Sequence, residues 1–278
     1  ALQGVAAGGG PATVAAGIVV IAIAAKAGVF PVYTWLPRTY PSTSAAVMGL
    51  FSGLHTKVAV YMLYRLWVQL FDMDERWGVL IIVVMIISMI VGAFGGLAEN
   101  SIRRVLGYQM LNGMPFILVM MAFTTHDAQR ALAAGILYTI HHMLTVGSLI
   151  LAAGAIEETY GTGRLNKLSG LARRDPIIAW IFAAGAFSVV GFPPFSGMWG
   201  KVLIVAEVAR TGGGWAWTVI TVIIIASFAA FLSMLRVWRR VFWGKDLPKE
   251  KVPNELVIRK KLMAPSAALI LGSLTMFI

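Results

Sequence analysis

Gly191-Phe-Pro-Pro-Phe-Ser-Gly-Met-Trp-Gly-Lys201 lies in the middle of an apolar stretch that runs from Ile177 to Val208. Read without interruption as far as Arg210, the stretch makes a helix of about 50 Å, too long for a hydrocarbon core about 30 Å thick. Two adjacent prolines remove two backbone donors and crowd the preceding turn, and the glycines on either side admit non-helical backbone. The stretch is therefore predicted to be a membrane helix broken at half depth, with Lys201 just past the break. Irregular backbone at that depth is tolerated only against protein or a wet cavity, so the break marks an interior site.

Outward from this segment the chain shows seven more long apolar runs: Thr13–Val32, Ala45–Leu70, Val79–Leu97, Val105–Phe123, Ala131–Ala155, Trp215–Phe242 and Leu262–Ile278. Eight spans predict an all-α, polytopic membrane helix bundle. The composition agrees, with 59% hydrophobic residues, 13% charged residues and a mean hydropathy of +0.81, and it excludes an ordinary soluble domain. Span one carries a weaker break, Lys26-Ala-Gly-Val-Phe-Pro31. Two interrupted helices, each with a lysine beside its break, are the pattern of a transporter built from repeated halves. Cysteine is absent, so no disulfide framework exists.

The net charge of +11 invites a nucleic-acid reading, which the distribution of the charges removes. Place the loop between spans seven and eight inside and let the spans alternate. Arg38, Arg103, Arg104, Arg164, Lys167, Arg173, Arg174, Arg236, Arg239, Arg240, Lys245, Lys249, Lys251, Arg259, Lys260 and Lys261 then lie inside, 16 of the 23 basic residues. Arg65, Arg76, Arg130 and Arg210 lie outside. This positive-inside bias predicts cytoplasmic basic loops and residue 1 on the outside, and it makes the basic excess a matter of topology. Ala1–Pro11 lacks the basic n-region of a signal peptide, and the last apolar run stops at Ile278, short of a comfortable span. The chain accordingly reads as a segment of a longer polypeptide.

The three remaining cations, Lys26, Lys57 and Lys201, fall inside the spans. A lysine at the bilayer centre costs about 3 kcal/mol on insertion scales, so its position has a reason, usually a route for ions or protons. His141 and His142 lie at similar depth in span five. Lysine withdrawn from water releases its proton more readily than in solution, and histidine accepts on one nitrogen while donating from the other. Tyr61, Tyr138 and Thr145 stand one helical turn from these groups and are candidates to complete a proton wire. His141 and His142 project about 100° apart, which predicts that one faces the axis while the other bonds a neighbouring helix. His55 stands about 200° from Lys57 and is left open between pathway and packing. The alternative for each lysine is structural pairing with a carboxylate. Span interiors offer almost none, which also argues against an all-carboxylate sodium or calcium site, and the four histidines lack zinc spacing.

Three segments carry a family resemblance. The first is Lys26-Ala-Gly-Val-Phe-Pro-Val-Tyr-Thr-Trp-Leu-Pro-Arg-Thr-Tyr40, followed by Gly53-Leu-His-Thr-Lys-Val-Ala-Val-Tyr61 and Arg65. The others are Glu99-Asn-Ser-Ile-Arg-Arg-Val-Leu-Gly-Tyr108 and Gly191 to Lys201. Together they resemble the antiporter-like membrane subunits shared by respiratory complex I, membrane hydrogenases and Mrp-type cation/proton antiporters. Trp35-Leu-Pro-Arg38 and Phe51-Ser-Gly-Leu-His-Thr-Lys57 look most like the D-type subunits of the Mrp antiporters.

The resemblance implies inverted repeats of five helices: residues 1–75 end the first, 76–243 form the second, and 244–278 supply a cytoplasmic loop and a final span. It implies a pathway of membrane lysines, Lys26, Lys57 and Lys201; joined to His141, His142 and His55 from the reading above, these are the expected midplane proton pathway, and no cofactor is expected. It also implies about six preceding helices, absent from this sequence, and with them a membrane glutamate that partners Lys26. Thr145-Val-Gly147 stands where many relatives carry a lysine, and Gln109 and Asn112 also depart from the family pattern. The function implied is that of a non-enzymatic, proton-translocating subunit of a hetero-oligomeric sodium (or other monovalent cation)/proton antiporter in the bacterial cell membrane. Its partners would be the other subunits, membrane lipids and the transported ions. The alternative is a proton-pumping subunit of complex I or a membrane hydrogenase.

Overall fold

A computed structural model describes residues 4–6, 8–245 and 256–276. Ala1, the loop cations Lys249 and Lys251, and Ile278 lie outside the described residues. The elements in chain order are α1 (Pro11–Ala27), α2 (Trp35–Thr39), α3 (Ala45–Leu50), α4 (Thr56–Gln69), α5 (Gly78–Ala98), α6 (Ile102–Leu118), α7 (Ala128–Tyr160), α8 (Leu171–Arg174), α9 (Pro176–Val190), α10 (Ser196–Thr211), α11 (Gly213–Val237) and α12 (Lys260–Thr275). No strand is present among the described residues.

Five helical segments are long and apolar enough to cross a membrane: Ala45–Gln69, Glu75–Ala98, Ile102–Phe123, Ala128–Tyr160 and Gly213–Phe242. The other three expected spans take shorter form. α1 stops at Ala27, five residues before the expected end, because Gly28 turns left-handed at φ 77 and closes the helix. A side chain there would meet Leu36 Cδ1 at 2.7 Å, so the turn needs glycine twice over. The sixth span is broken as expected, into α9 of 15 residues and α10 of 16. α12 covers 16 residues. α7 is longer than expected: its 33 residues reach about 50 Å, well beyond Ala155 at the inner end.

The loops gather at two ends of the bundle. At one end, Arg103 donates to the carbonyl of Thr43, Arg236 reaches Asn100 Oδ1 at 2.7 Å, Leu165 N bonds Asn100 O at 2.9 Å, and Arg174 Nε bonds Leu256 O at 3.0 Å. Arg103 also pairs with Glu157 at 2.6 Å. The opposite end holds the turn at Phe71–Trp77 and the ion pair of Arg210 with Glu207.

Buried apolar side chains form two clusters rather than one. The first includes Leu63, Trp67, Met89, Met114, Phe116, Tyr138, Ile204 and Ala229. The second includes Met48, Leu106, Leu111, Val146, Leu149, Phe182, Val189 and Met234. In the helical runs α3–α4, α6, α7 and α9–α10 that pass from one cluster to the other, the boundary falls on polar or small residues: Ser52 to Lys57, Asn112 and Gly113, His141 to Thr145, and Ser196 to Lys201. A buried polar layer thus divides the core at half depth.

Candidate functional site

Lys57 enters this layer from the start of α4. Between α3 and α4 the helix widens through Phe51–His55, a π turn that adds a residue to the turn and shifts the register beyond it. Lys57 Nζ lies 3.0 Å from His142 Nδ1 and 3.3 Å from its neighbour Thr56 Oγ1. His142 Nε2 sits 3.3 Å from the backbone oxygen of Gln109. A carbonyl only accepts, so Nε2 carries the hydrogen and Nδ1 accepts from the lysine. The ring fits against α6 because residue 113 is glycine: a Cβ there would fall 1.9 Å from His142 Nε2.

His141 faces the other way along the layer. Its Nδ1 lies 2.7 Å from Ser196 Oγ, on the first residue of α10, and 3.2 Å from Thr145 Oγ1. Of the two histidines, His142 thus meets Lys57 while His141 bonds a neighbouring helix. Both rings are buried, at 0% and 2% exposure, and the angle between them directs one toward Lys57 and the other toward the broken helix. Tyr138 packs beside both rings, at 5.3 and 6.2 Å between centroids.

Lys201 is held by the break itself. The last carbonyls of α9 have no intrahelical partner, and they form the negative end of its dipole. Lys201 Nζ bonds Val190 O at 2.7 Å, Val189 O at 3.2 Å and Ser227 Oγ at 2.9 Å, and lies 5.2 Å above the Phe116 ring. No carboxylate pairs with Lys26, Lys57 or Lys201 among the described residues, so the carboxylate alternative finds no partner there.

The remaining candidates are placed less centrally. Lys26 is half-buried in the last turn of α1, without a hydrogen bond among the described residues. His55 Nδ1 lies 2.8 Å from Tyr40 Oη, so His55 is bonded to Tyr40 and not to the Lys57–His142 pair. Tyr61 is corrected outright. It is 63% exposed on the outer face of α4, in line with exposed Arg65, and takes no place in the buried layer beside Lys57. Val146 is fully buried in the second apolar cluster, which leaves Thr145 as the residue of that triplet in the polar layer.

Sequence reasoning missed Ser188, Ser196, Ser227 and Ser273. A serine in an apolar helix carries weak information alone. Ser266 and Ser273, seven residues apart on one face of the last helix, were the available signal.

The comparisons with known proteins agree with this architecture. Residues 5–233 match the family described as NADH:quinone oxidoreductase/Mrp antiporter, TM. The chain is 32% identical over 263 residues to the D subunit of the Na(+)/H(+) antiporter of Alkalihalophilus pseudofirmus, covering 94% of this chain and 52% of that protein. It is 34% identical over 266 residues to the corresponding D subunit of Bacillus subtilis, again 94% and 52%. The chain thus spans about half the length of the curated relatives it matches. A chain of the solved Mrp complex from Dietzia sp. DQ12-45-1b superimposes with a TM-score of 0.87 at 34% identity, over 94% of this chain and 55% of that one. The archaeal membrane-bound sulfane sulfur reductase shares the fold, with a TM-score of 0.84 at 22% identity, over 94% of this chain and 44% of its own.

Proposed function

The chain belongs to the NADH:quinone oxidoreductase/Mrp antiporter membrane family, and from that premise we propose that it acts as a proton-translocating subunit of a multisubunit sodium (or other monovalent cation)/proton antiporter. It is a multi-pass membrane protein, and its role is transport within a hetero-oligomer. In this reading residues 1–75 close one repeat, 76–243 form the second and 244–278 add the final helix. The basic end faces the bacterial cytoplasm, by the positive-inside bias. The alternative of a redox-driven pump shares the family match, and the D-subunit relatives at 32–34% identity favour the antiporter.

One observation carries the proposal: Lys57 and His142, 85 residues apart in sequence, meet at 3.0 Å inside the bundle with no carboxylate to neutralise them. An amine and an imidazole in contact exchange a proton by moving one hydrogen along the line between them, without separating opposite charges. His141 continues the series toward the broken helix, and Lys201 ends it on the α9 carbonyls. Lys26 and His55 form the approach from the other side.

The test uses the full complex in everted vesicles. Lys57→Ala and His142→Ala should each abolish sodium-dependent proton movement while the complex is still recovered. Lys57→Arg should fail as well, because guanidinium keeps its proton at any working pH. Wild-type exchange in the Lys57→Ala, His142→Ala double variant would remove this pair from the path.

A further inference from the structure

Beyond the lysines and histidines, four hydroxyls from four helices meet in one knot. Thr145 comes from α7, Ser188 from the last turn of α9, Ser196 from the first residue of α10, and Ser273 from α12. Ser196 Oγ lies 2.6 Å from Ser273 Oγ and 3.2 Å from Ser188 Oγ, and Thr145 Oγ1 lies 2.8 Å from Ser273 Oγ and 3.4 Å from Ser188 Oγ. All four side chains are buried, none more than 1% exposed. The four oxygens thus close a ring, and His141 Nδ1 touches it at both Ser196 and Thr145.

We infer that Ser273 and Thr145 are proton-carrying groups, completing a hydroxyl ring that passes protons between His141 and the two stubs of the broken helix. The inference rests on the proton-path reading of the site. The chemistry balances without a co-reactant. Each hydroxyl accepts a hydrogen on a lone pair as its own O–H bond breaks toward the next oxygen, so no net charge stays on any of them. A ring offers two routes between Ser196 and Thr145, one through Ser188 and one through Ser273, and the latter has the shorter bonds. The spacing also favours a proton over a metal cation. Oxygens 2.6 to 2.8 Å apart are bonded directly to each other, whereas oxygens sharing a cation stand wider.

α12 is held so that Ser273 stays in place. Two turns away, Ser148 Oγ donates to Ser266 O and Ser266 Oγ to Ser148 O, both at 2.8 Å. These reciprocal bonds fasten α12 to α7, each side chain to the other's backbone, a packing role separate from conduction.

Everted vesicles bearing the full complex test the ring, with Lys57→Ala as reference. Ser273→Ala should slow sodium-dependent proton exchange by roughly tenfold, less than the hundredfold of a dedicated acid–base group, because water enters the space of a lost hydroxyl. Its solvent deuterium isotope effect should rise, and Ser273→Thr should restore both. Thr145→Val should match Ser273→Ala, with Thr145→Ser restoring, and the Ser273→Ala, Thr145→Val pair should be no worse than about the sum of the two effects. Ser266→Ala should lower recovery of the complex and leave the isotope effect unchanged. If Ser273→Ala fails to assemble, Thr145→Val decides. Wild-type rate and isotope effect in Ser273→Ala and Thr145→Val, beside an inactive Lys57→Ala, would overturn the ring alone. A slowed Ser273→Ala with an ordinary isotope effect and no rescue by threonine would make it packing. An active Lys57→Ala would overturn the path reading beneath it.

Discussion

The two helix breaks solve the same backbone problem with different groups. At the first, α1 ends at Ala27 and its carbonyl at Ala25 accepts from the indole nitrogen of Trp35 at 2.9 Å, while Phe30 N donates to Ser88 Oγ at 2.9 Å. Neutral donors and acceptors close that gap, and Lys26, preceding it, is left without a hydrogen bond among the described residues. At the second, the carbonyls of Val189 and Val190 accept from the Lys201 ammonium, which reaches back from the far side of the gap. The order of lysine and break decides the outcome. A lysine before the gap points away from the carbonyls it follows, since helical side chains lean toward the N-terminus. A lysine one turn after the gap leans directly onto them. The first break therefore presents its charge, and the second holds it.

The largest effect that separates the two follows from removing each lysine. Lys201→Ala should abolish exchange and also destabilise the protein by roughly 2 kcal/mol or more, because two carbonyls and Ser227 lose their buried donor. Lys26→Ala should abolish exchange with little change in thermal stability, and Lys26→Arg should be equally inactive. Melting of the purified complexes checks the contrast; equal stability losses would erase it.

A smaller effect comes from the second gap itself. Replacing Pro193 and Pro194 with alanine allows the helix to close through Gly191–Phe195, withdrawing the carbonyls from Lys201 and moving it by part of a turn. Exchange should fall by about tenfold or more while the protein still inserts, a loss of the size expected when catalytic groups are displaced by about an ångström. Normal transport in an inserted double variant would reduce the break to a packing feature.

The smallest belongs to the first gap. Trp35→Phe keeps an aromatic ring and removes one neutral hydrogen bond, worth about 1 kcal/mol, so exchange should be nearly unchanged and the melting temperature slightly lowered. A transport defect as large as that of Lys201→Ala would show that the neutral closure takes part in conduction after all.

The gross architecture was legible because membrane helices announce themselves by length and apolarity, and because Gly191-Phe-Pro-Pro and Gly28 act through local backbone rules. Arg103, Arg236 and Arg174 gather at one end of the bundle. Partner choice was not legible. Nothing local to Lys57 says that the π turn at Phe51–His55 aims it at His142 and His55 at Tyr40. The angle between His141 and His142 was legible as geometry, but the partners waiting in the two directions, Lys57 and Ser196, were not. Tyr61 shows the same limit, because the roughly 40° turned over four residues is enough to carry it from the buried side of α4 to the exposed one. Serines were the least visible, as their meaning comes only from the helices that meet them.

The division of the core into two apolar clusters has a mechanical consequence. Dispersion grips the helices firmly above and below half depth, but across the intervening slab the helices are cross-linked mainly by a few hydrogen bonds. Helices α6 and α7 run through this slab unbroken and hold the two halves in register, whereas the gap between α9 and α10 leaves backbone there outside any helix. A rearrangement of hydrogen bonds within the slab therefore meets its least resistance at the broken helix.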